Sequence, residues 1–409
     1  VKKLYTIFST SICVLLLWSC AEETDSAIGK EKFTSIFDVR DFNISYTPLD
    51  IVQTSDGGYV VLSARPLEES NFSYSGIHLL KADENGNYVS DITLGDSLVH
   101  AVSSLTLDGE KLHFICMNSQ STGARIVSFD ASLGNITAKM VEGLTYPSAA
   151  NYIPESKAFA LLGYNSEDKQ TQITVANLSG QLIKPLKTFI TGLGGGEIII
   201  DKIMIEHFLH TGRQYPFSVG KVKGQDIYYF NAFVNYNFSM GLTNLSEDDE
   251  GTFMFGENDD VGFSAVTSLG NASYAIARFD HTDTYLDPNA SLSPGAIDPT
   301  EIGYNPYPEL TPHATIKILP TEISEKKIIV FGSSTKSKQI GLYFYDQTTR
   351  AFHTSRYLGF SNPYEFSSMT RTADGGLAIC GVTYLAGRFP RICIFKLSEE
   401  DVKENVVIE

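Results

Sequence analysis

The 409-residue sequence holds one tryptophan, Trp18, and only five cysteines. Beyond the first twenty residues the cysteines are Cys116, Cys380 and Cys393, and none forms a C-x-x-C pair. Zinc-ribbon and haem-attachment chemistry is therefore unsupported. H-E-x-x-H is absent: Glu206-His207-Phe208-Leu209-His210 sets two histidines three apart with no third ligand nearby, which reads as surface or partly buried histidines. G-x-S-x-G is absent too. The run Gly192-Leu193-Gly194-Gly195-Gly196 lacks the Lys-Ser/Thr of a phosphate-binding loop and reads as a flexible connection. Basic residues are scarce, 31 Lys and Arg against 48 Asp and Glu, a formal charge of −17. Such a surface repels nucleic acid and anionic lipid, which excludes nucleic-acid binding. No apolar run reaches the roughly 20 residues of a spanning helix. Outside the first twenty residues, only Ile198 to Leu209 tolerates a helical reading.

What is present is a repeat. Ile51 to Ala64 (IVQTSDGGYVVLSA) and Met369 to Val382 (MTRTADGGLAICGV) share T-x-D-G-G followed by alternating apolar residues. Asp-Gly signals a tight hairpin whose two central residues take positive φ. Each copy is thus strand, turn, strand, with a third strand downstream at residues 77–86 and 391–400. Weaker copies lie at residues 103–118, 151–164, 223–237, 264–279 and 320–334, about every 45–55 residues. Repeats of that length, each with some four short strands, imply an all-β chain folded as a β-propeller. Seven four-stranded blades is the expected count, with six as the alternative. Two β-sandwiches are the competing architecture, but they would not repeat the same hairpin at both ends of the chain. The last unit is short of a fourth strand, and residues 33–42 look like an outermost strand without a blade. The N-terminal strand is therefore expected to close the ring, removing two free edges. The DGGY-type unit resembles the repeats of secreted and lipid-anchored bacterial propellers. Quinoprotein-type and WD-type blades are excluded by the lack of tryptophan after Trp18.

The amino-terminal residues carry an address. Lys2 and Lys3 precede a short apolar stretch, Ile7 to Trp18, which suits the core of a secretory signal. Leu17-Trp18-Ser19-Cys20 resembles a bacterial lipobox, with Trp18 an unusual occupant of its middle position. The resemblance implies a signal peptide over residues 1–19, lipidation of Cys20, a polar tether over 20–32 and the propeller domain over 33–409. It further implies a membrane partner reached through lipid chains rather than a helix. Glu22, Glu23 and Asp25 resemble the acidic tag of surface-exposed outer-membrane lipoproteins; the periplasmic face is the alternative.

In a propeller the loops leading into the innermost strands ring one channel mouth, and the T-x-D-G-G turns lie on the opposite face. Asp56, Gly57, Asp374 and Gly375 are then structural. Counting ten residues back from each turn gives Tyr46, Tyr146, Tyr364 and Asp260, with His100 near the second position and His313 at the end of a long insertion, residues 281–313. These six are the candidate ligand-binding rim. The competing reading has the tyrosines packing between blades with their hydroxyls reaching water. Tyr304 and Tyr307 of the insertion are also within reach of the rim. Asp280, Asp283 and Asp287 lack the spacing of a calcium loop, so calcium has no support and no cofactor is expected. Cys380 and Cys393 are equidistant from a turn centred on Ala386-Gly387, so a regular hairpin would set them opposite each other. A disulfide there suits an oxidising compartment; two buried thiols are the other reading.

Two functions compete. The first is a non-catalytic cell-envelope lipoprotein whose propeller binds a glycan or an envelope protein, or serves as a scaffold. The second is a metal-dependent, lactonase-like hydrolase, for which Asp96, Asp260 and His313 are the only acid and imidazole candidates.

Overall fold

The computed structural model describes residues 31–38, 44–67, 74–209, 213–254, 261–281, 283–292, 306–311, 314–384 and 389–406. Cys20, Asp260, Tyr304 and His313 lie outside them. The chain is all-β, built from consecutive antiparallel meanders. A first strand, β1 (Phe33–Phe37), precedes them. The first meander is β2 (Thr47–Gln53), β3 (Tyr59–Arg65), β4 (Gly76–Ala82) and β5 (Tyr88–Thr93). The second is β6 (Leu98–Asp108), β7 (Lys111–Asn118), β8 (Gly123–Asp130) and β9 (Thr137–Thr145), joined to the first by one bridge between Gly76 and Val99. Next come β10 (Ala149–Ile153), β11 (Ala158–Asn165), β12 (Gln170–Asn177) and β13 (Leu182–Ile190). After helix α1 (Glu197–Phe208) follow β14 (Ser218–Lys221), β15 (Tyr228–Val234), β16 (Asn237–Thr243) and β17 (Thr252–Met254). Three strands come after that, β18 (Val261–Gly270), β19 (Ser273–Asp280) and β20 (Asp283–Ser291). The sixth group is β21 (Lys317–Ile323), β22 (Lys326–Ser334), β23 (Ile340–Asp346) and β24 (Phe352–Leu358). The last is β25 (Tyr364–Arg371), β26 (Leu377–Tyr384) and β27 (Pro390–Leu397), followed by the short helix α2 (Glu399–Glu404).

The burial pattern explains why the middle strands read as unbroken apolar runs. β4, β15 and most of β7, β11, β22, β26 and β27 are buried on both faces, whereas β5 and β9 are largely exposed. A strand covered on both sides cannot alternate. The core is accordingly divided among seams. One apolar cluster joins the first and second meanders, another the second and third, and so on along the chain. A further cluster packs Tyr59, Val61 and Leu80 of the first meander against Ala378, Cys380, Ile392 and Ile394 of the last. The leading strands touch in the same order, β2 to β6, β6 to β10 and onward to β25, which touches β2. β1 pairs antiparallel with β27, Phe33 opposite Lys396 and Phe37 opposite Ile392, as the fourth strand of the last sheet.

Two expectations need correction. In the T-x-D-G-G turns only the first glycine has positive φ, +81° at Gly57 and +82° at Gly375. The aspartate instead acts as a clamp. Asp56 accepts from the Gly58 amide, the Thr54 hydroxyl and, at 2.8 Å, from Lys81 Nζ on the third strand. Asp374 does the same with Gly376, Thr372 and Lys396. Burial opposes ionisation of both carboxyls, but these hydrogen bonds outweigh it and hold them below the usual range. The second glycine is required by space: a Cβ at Gly376 would lie 2.1 Å from the Leu397 carbonyl oxygen. The second correction concerns Cys380 and Cys393. Cys380 stands opposite Ile394, and Cys393 opposite Gly381. The true register differs by one residue from the symmetric hairpin, and one residue reverses the face. The two thiols point into different seams and are free.

The Lys396 side chain is 2% exposed and that of Asp374 52%. Asp374→Ala removes the carboxylate partner of the buried ammonium, leaving it the Leu397 carbonyl, and is expected to cost about 3 kcal/mol. Lys396→Met, which leaves only a half-exposed carboxylate, is expected to cost less. Urea unfolding of the two variants checks the order.

Candidate functional site

Among the described residues, the longest structured departure from the repeat is helix α1, between β13 and β14. Glu197 in its first turn suits the positive end of the helix dipole. Ile200, Met204, His207 and Phe208 fall at helical spacing and form its buried face. That face lies over the lead-in residues of the second and third meanders. The His100 ring is 4.6 Å from Phe208 and 5.7 Å from His207. The Tyr146 ring is 5.0 Å from Phe208. The Tyr164 hydroxyl donates to Asp201 Oδ1 at 2.7 Å, tying the helix to β11. The Tyr215 amide donates to His207 Nδ1 at 3.0 Å, so a neutral His207 carries its proton on Nε2.

His100 and Tyr146 both have left-handed backbones, φ 48° and 43°. Bulky side chains rarely adopt this geometry, at a cost of about 1–3 kcal/mol each. Amide bonds pin both: His100 donates to the Ser75 carbonyl at 2.8 Å and Tyr146 to that of Thr122 at 2.9 Å. The strain aims both rings beneath Phe208.

The six expected rim residues therefore have different fates. His100 and Tyr146 are brought together under α1. Tyr46 is 3% exposed, with its ring 4.5 Å from His78. Tyr364 is 4% exposed and packs edge-on against Phe395 at 5.2 Å. Asp260 and His313 lie outside the described residues. Tyr307 packs on Tyr343 at 4.9 Å, and Glu309 beside it accepts from the hydroxyls of Tyr343 and Tyr357. Asp287 is engaged by Arg350 and Asp280 by Arg278. Among the described residues no group of three or more His, Cys, Asp or Glu is placed to hold a metal. The residues not foreseen are Tyr164, Asp201, Phe208 and Tyr215, and His207, read from the sequence as a surface or partly buried histidine, is buried. The apolar spacing within Ile198 to Leu209 was the signal for His207 and Phe208; Tyr164 and Tyr215 lie outside that stretch and had none.

The other side of α1 faces solvent with apolar residues. Ile198 is 61% exposed, Ile199 65% and Leu193 64%. Tyr236 extends this surface, its hydroxyl bonded to the Leu193 backbone and its ring against Gly192 and Gly196.

No family model matches the chain, and no curated protein matches it. Among solved structures it is similar to the β-propeller domain of the Trilobed protease from Pyrococcus furiosus, at 11% identity and TM-score 0.48, covering 89% of this chain and 98% of that one. NanB sialidase from Streptococcus pneumoniae is similar at 10% identity and TM-score 0.47, covering 90% and 71%. The Cps50 (Swd1) β-propeller domain of Myceliophteria thermophila is similar at 12% and 0.45, covering 90% and 100%. Resemblance at this level says nothing of activity.

Burial pulls His100 down to about 4, and burial followed by the nearby His100 holds His207 well below its usual value. Both are depressed bases, neutral in the folded state. Their contribution is complete above the unfolded value of about 6.5 and is lost as pH falls from there towards 4. Melting temperature is expected to drop across that window, and His207→Gln to flatten the drop. An identical slope in wild type and variant would show that the pair does not govern it.

Proposed function

We propose that this chain is a lipid-anchored cell-envelope protein whose seven-bladed β-propeller, closed by β1, is a non-catalytic binding or scaffold module for a protein partner. The meander order, the seam clusters and the β1–β27 pair support the closed seven-blade reading. The observation that carries the binding role is the exposed apolar face of α1. Exposed isoleucines gathered with Leu193 and Tyr236 form the apolar centre expected of a protein interface.

Orientation favours a protein over a lipid surface as the occupant. Phe33 stands at the Lys396 end of β27, on the side of the T-x-D-G-G turns, while α1 lies on the lead-in side. The described chain starts on the first side, opposite α1, and on the lipid-anchor reading the membrane would be reached from there. A protein partner also fits better than a glycan, because Tyr46, Tyr146 and Tyr364 are covered rather than offered as stacking platforms.

The test uses the chain from residue 20 onward, cross-linked in outer membranes. The expected result is a discrete protein that binds directly once purified, with affinity reduced at least about tenfold, or 1.4 kcal/mol, by Ile198→Asp with Ile199→Asp. Binding unaffected by that double change, or confined to a glycan array, would overturn this reading. Stoichiometric metal in the purified protein would favour the hydrolase. Cys20→Ser is expected to release the full-length protein from the envelope fraction.

A further inference from the structure

The seam between the first and last meanders contains polar atoms that its apolar cluster does not explain. Ser63 and His78 are directly opposed across β3 and β4, so their side chains share a face. Both residues are 0% exposed. Among the described residues, neither the Ser63 hydroxyl nor His78 Nδ1 has a hydrogen-bond partner. The other imidazole nitrogen is settled: His78 Nε2 lies 3.0 Å from Asp91 Oδ2. A carboxylate only accepts, so Nε2 carries the proton and Nδ1 of the neutral ring is an acceptor. Burial lowers the basicity of His78 more than Asp91 raises it, consistent with the neutral form. Asp91 is itself fixed by the Tyr88 hydroxyl, and the Tyr46 ring covers the imidazole 4.5 Å away.

A buried hydroxyl donor and a buried ring acceptor on neighbouring side chains, with no bond between them, are a built site for a small polar molecule. Opposed strand residues hold their Cβ atoms about 5 Å apart, a span that one water bridges. We infer that an ordered internal water sits here, donating to His78 Nδ1 and accepting from Ser63 Oγ–H. It completes a relay from Asp91 through His78 to Ser63. The ligand is water rather than a solute because every protein atom defining the site is sealed. Its place matters: this seam joins the first and last meanders, and the same side of β4 packs against β26 and β27.

Two measurements test the site. A crystal structure at about 1.5 Å is expected to show a density peak within about 3 Å of both His78 Nδ1 and Ser63 Oγ. With 15N-labelled histidine, the Nδ1 resonance of His78 is expected to be that of a hydrogen-bonded acceptor. It should shift towards the unbonded position in Ser63→Val, where the added methyl displaces the water, and less in Ser63→Ala. An empty gap, a direct Ser63–His78 bond, or an Nδ1 resonance unmoved in Ser63→Val would each overturn the inference. The wild-type crystal keeps the test decisive should the valine variant fail to fold.

Discussion

A meander with both faces apolar cannot stand alone in water, and nearly every constraint in this protein follows from that. Burying an apolar face is worth about 25 cal/mol per Å², and each face here has only its neighbour to bury against. The first and last meanders would be left with one bare face each were they not packed together. The same contact supplies the strand that the last meander lacks. Asp50 shows how tightly these ends are bound. It is 4% exposed, yet it accepts from Ser368 Oγ at 2.6 Å and from the Leu105 amide at 3.0 Å, with Lys317 Nζ at 3.7 Å. One carboxylate thus engages four meanders. Arg391 adds a second tie, donating to Asp38 and to the Ile44 carbonyl on the way from β1 to β2.

Much of this was legible in the residues because it is local. The T-x-D-G-G hairpins, the strand periodicity, the helical spacing of Ile198 to Leu209 and the missing fourth strand of the last meander all depend on short windows. What was not legible depends on register or on distant partners. The Cys380–Cys393 geometry turned on a single residue of slip in a hairpin whose turn has no Asp-Gly signal. The partner of each turn aspartate, Lys81 or Lys396, is more than twenty residues downstream, in a strand that otherwise reads as pure core. A lysine at such a position looks like an exception until the turn is folded back onto it.

The lead-in residues illustrate the same limit. Counting back from the turns located equivalent positions in several meanders, and the structure does put Tyr46, His100, Tyr146 and Tyr364 near the starts of leading strands. Equivalence of position did not imply equivalence of surroundings. His100 and Tyr146 lie beneath a helix inserted after the third meander, whereas Tyr46 and Tyr364 are packed into seams near the two ends of the chain. Nothing in the repeat itself encodes which of these neighbours arrives.

The two sides of the molecule consequently differ in kind. On the T-x-D-G-G side the connections are short and self-bonded. Asp83, Asp130, Asn177 and Asp346 each accept from backbone amides of their own turns. On the opposite side lie helix α1 and the strained backbones of His100 and Tyr146. Strain is retained where surrounding packing over-determines it, and here the packing is the helix. A fold whose stability resides in its seams can lengthen the loops of one side without disturbing the other. Helix α1 is such a lengthening, inserted between β13 and β14 over His100 and Tyr146.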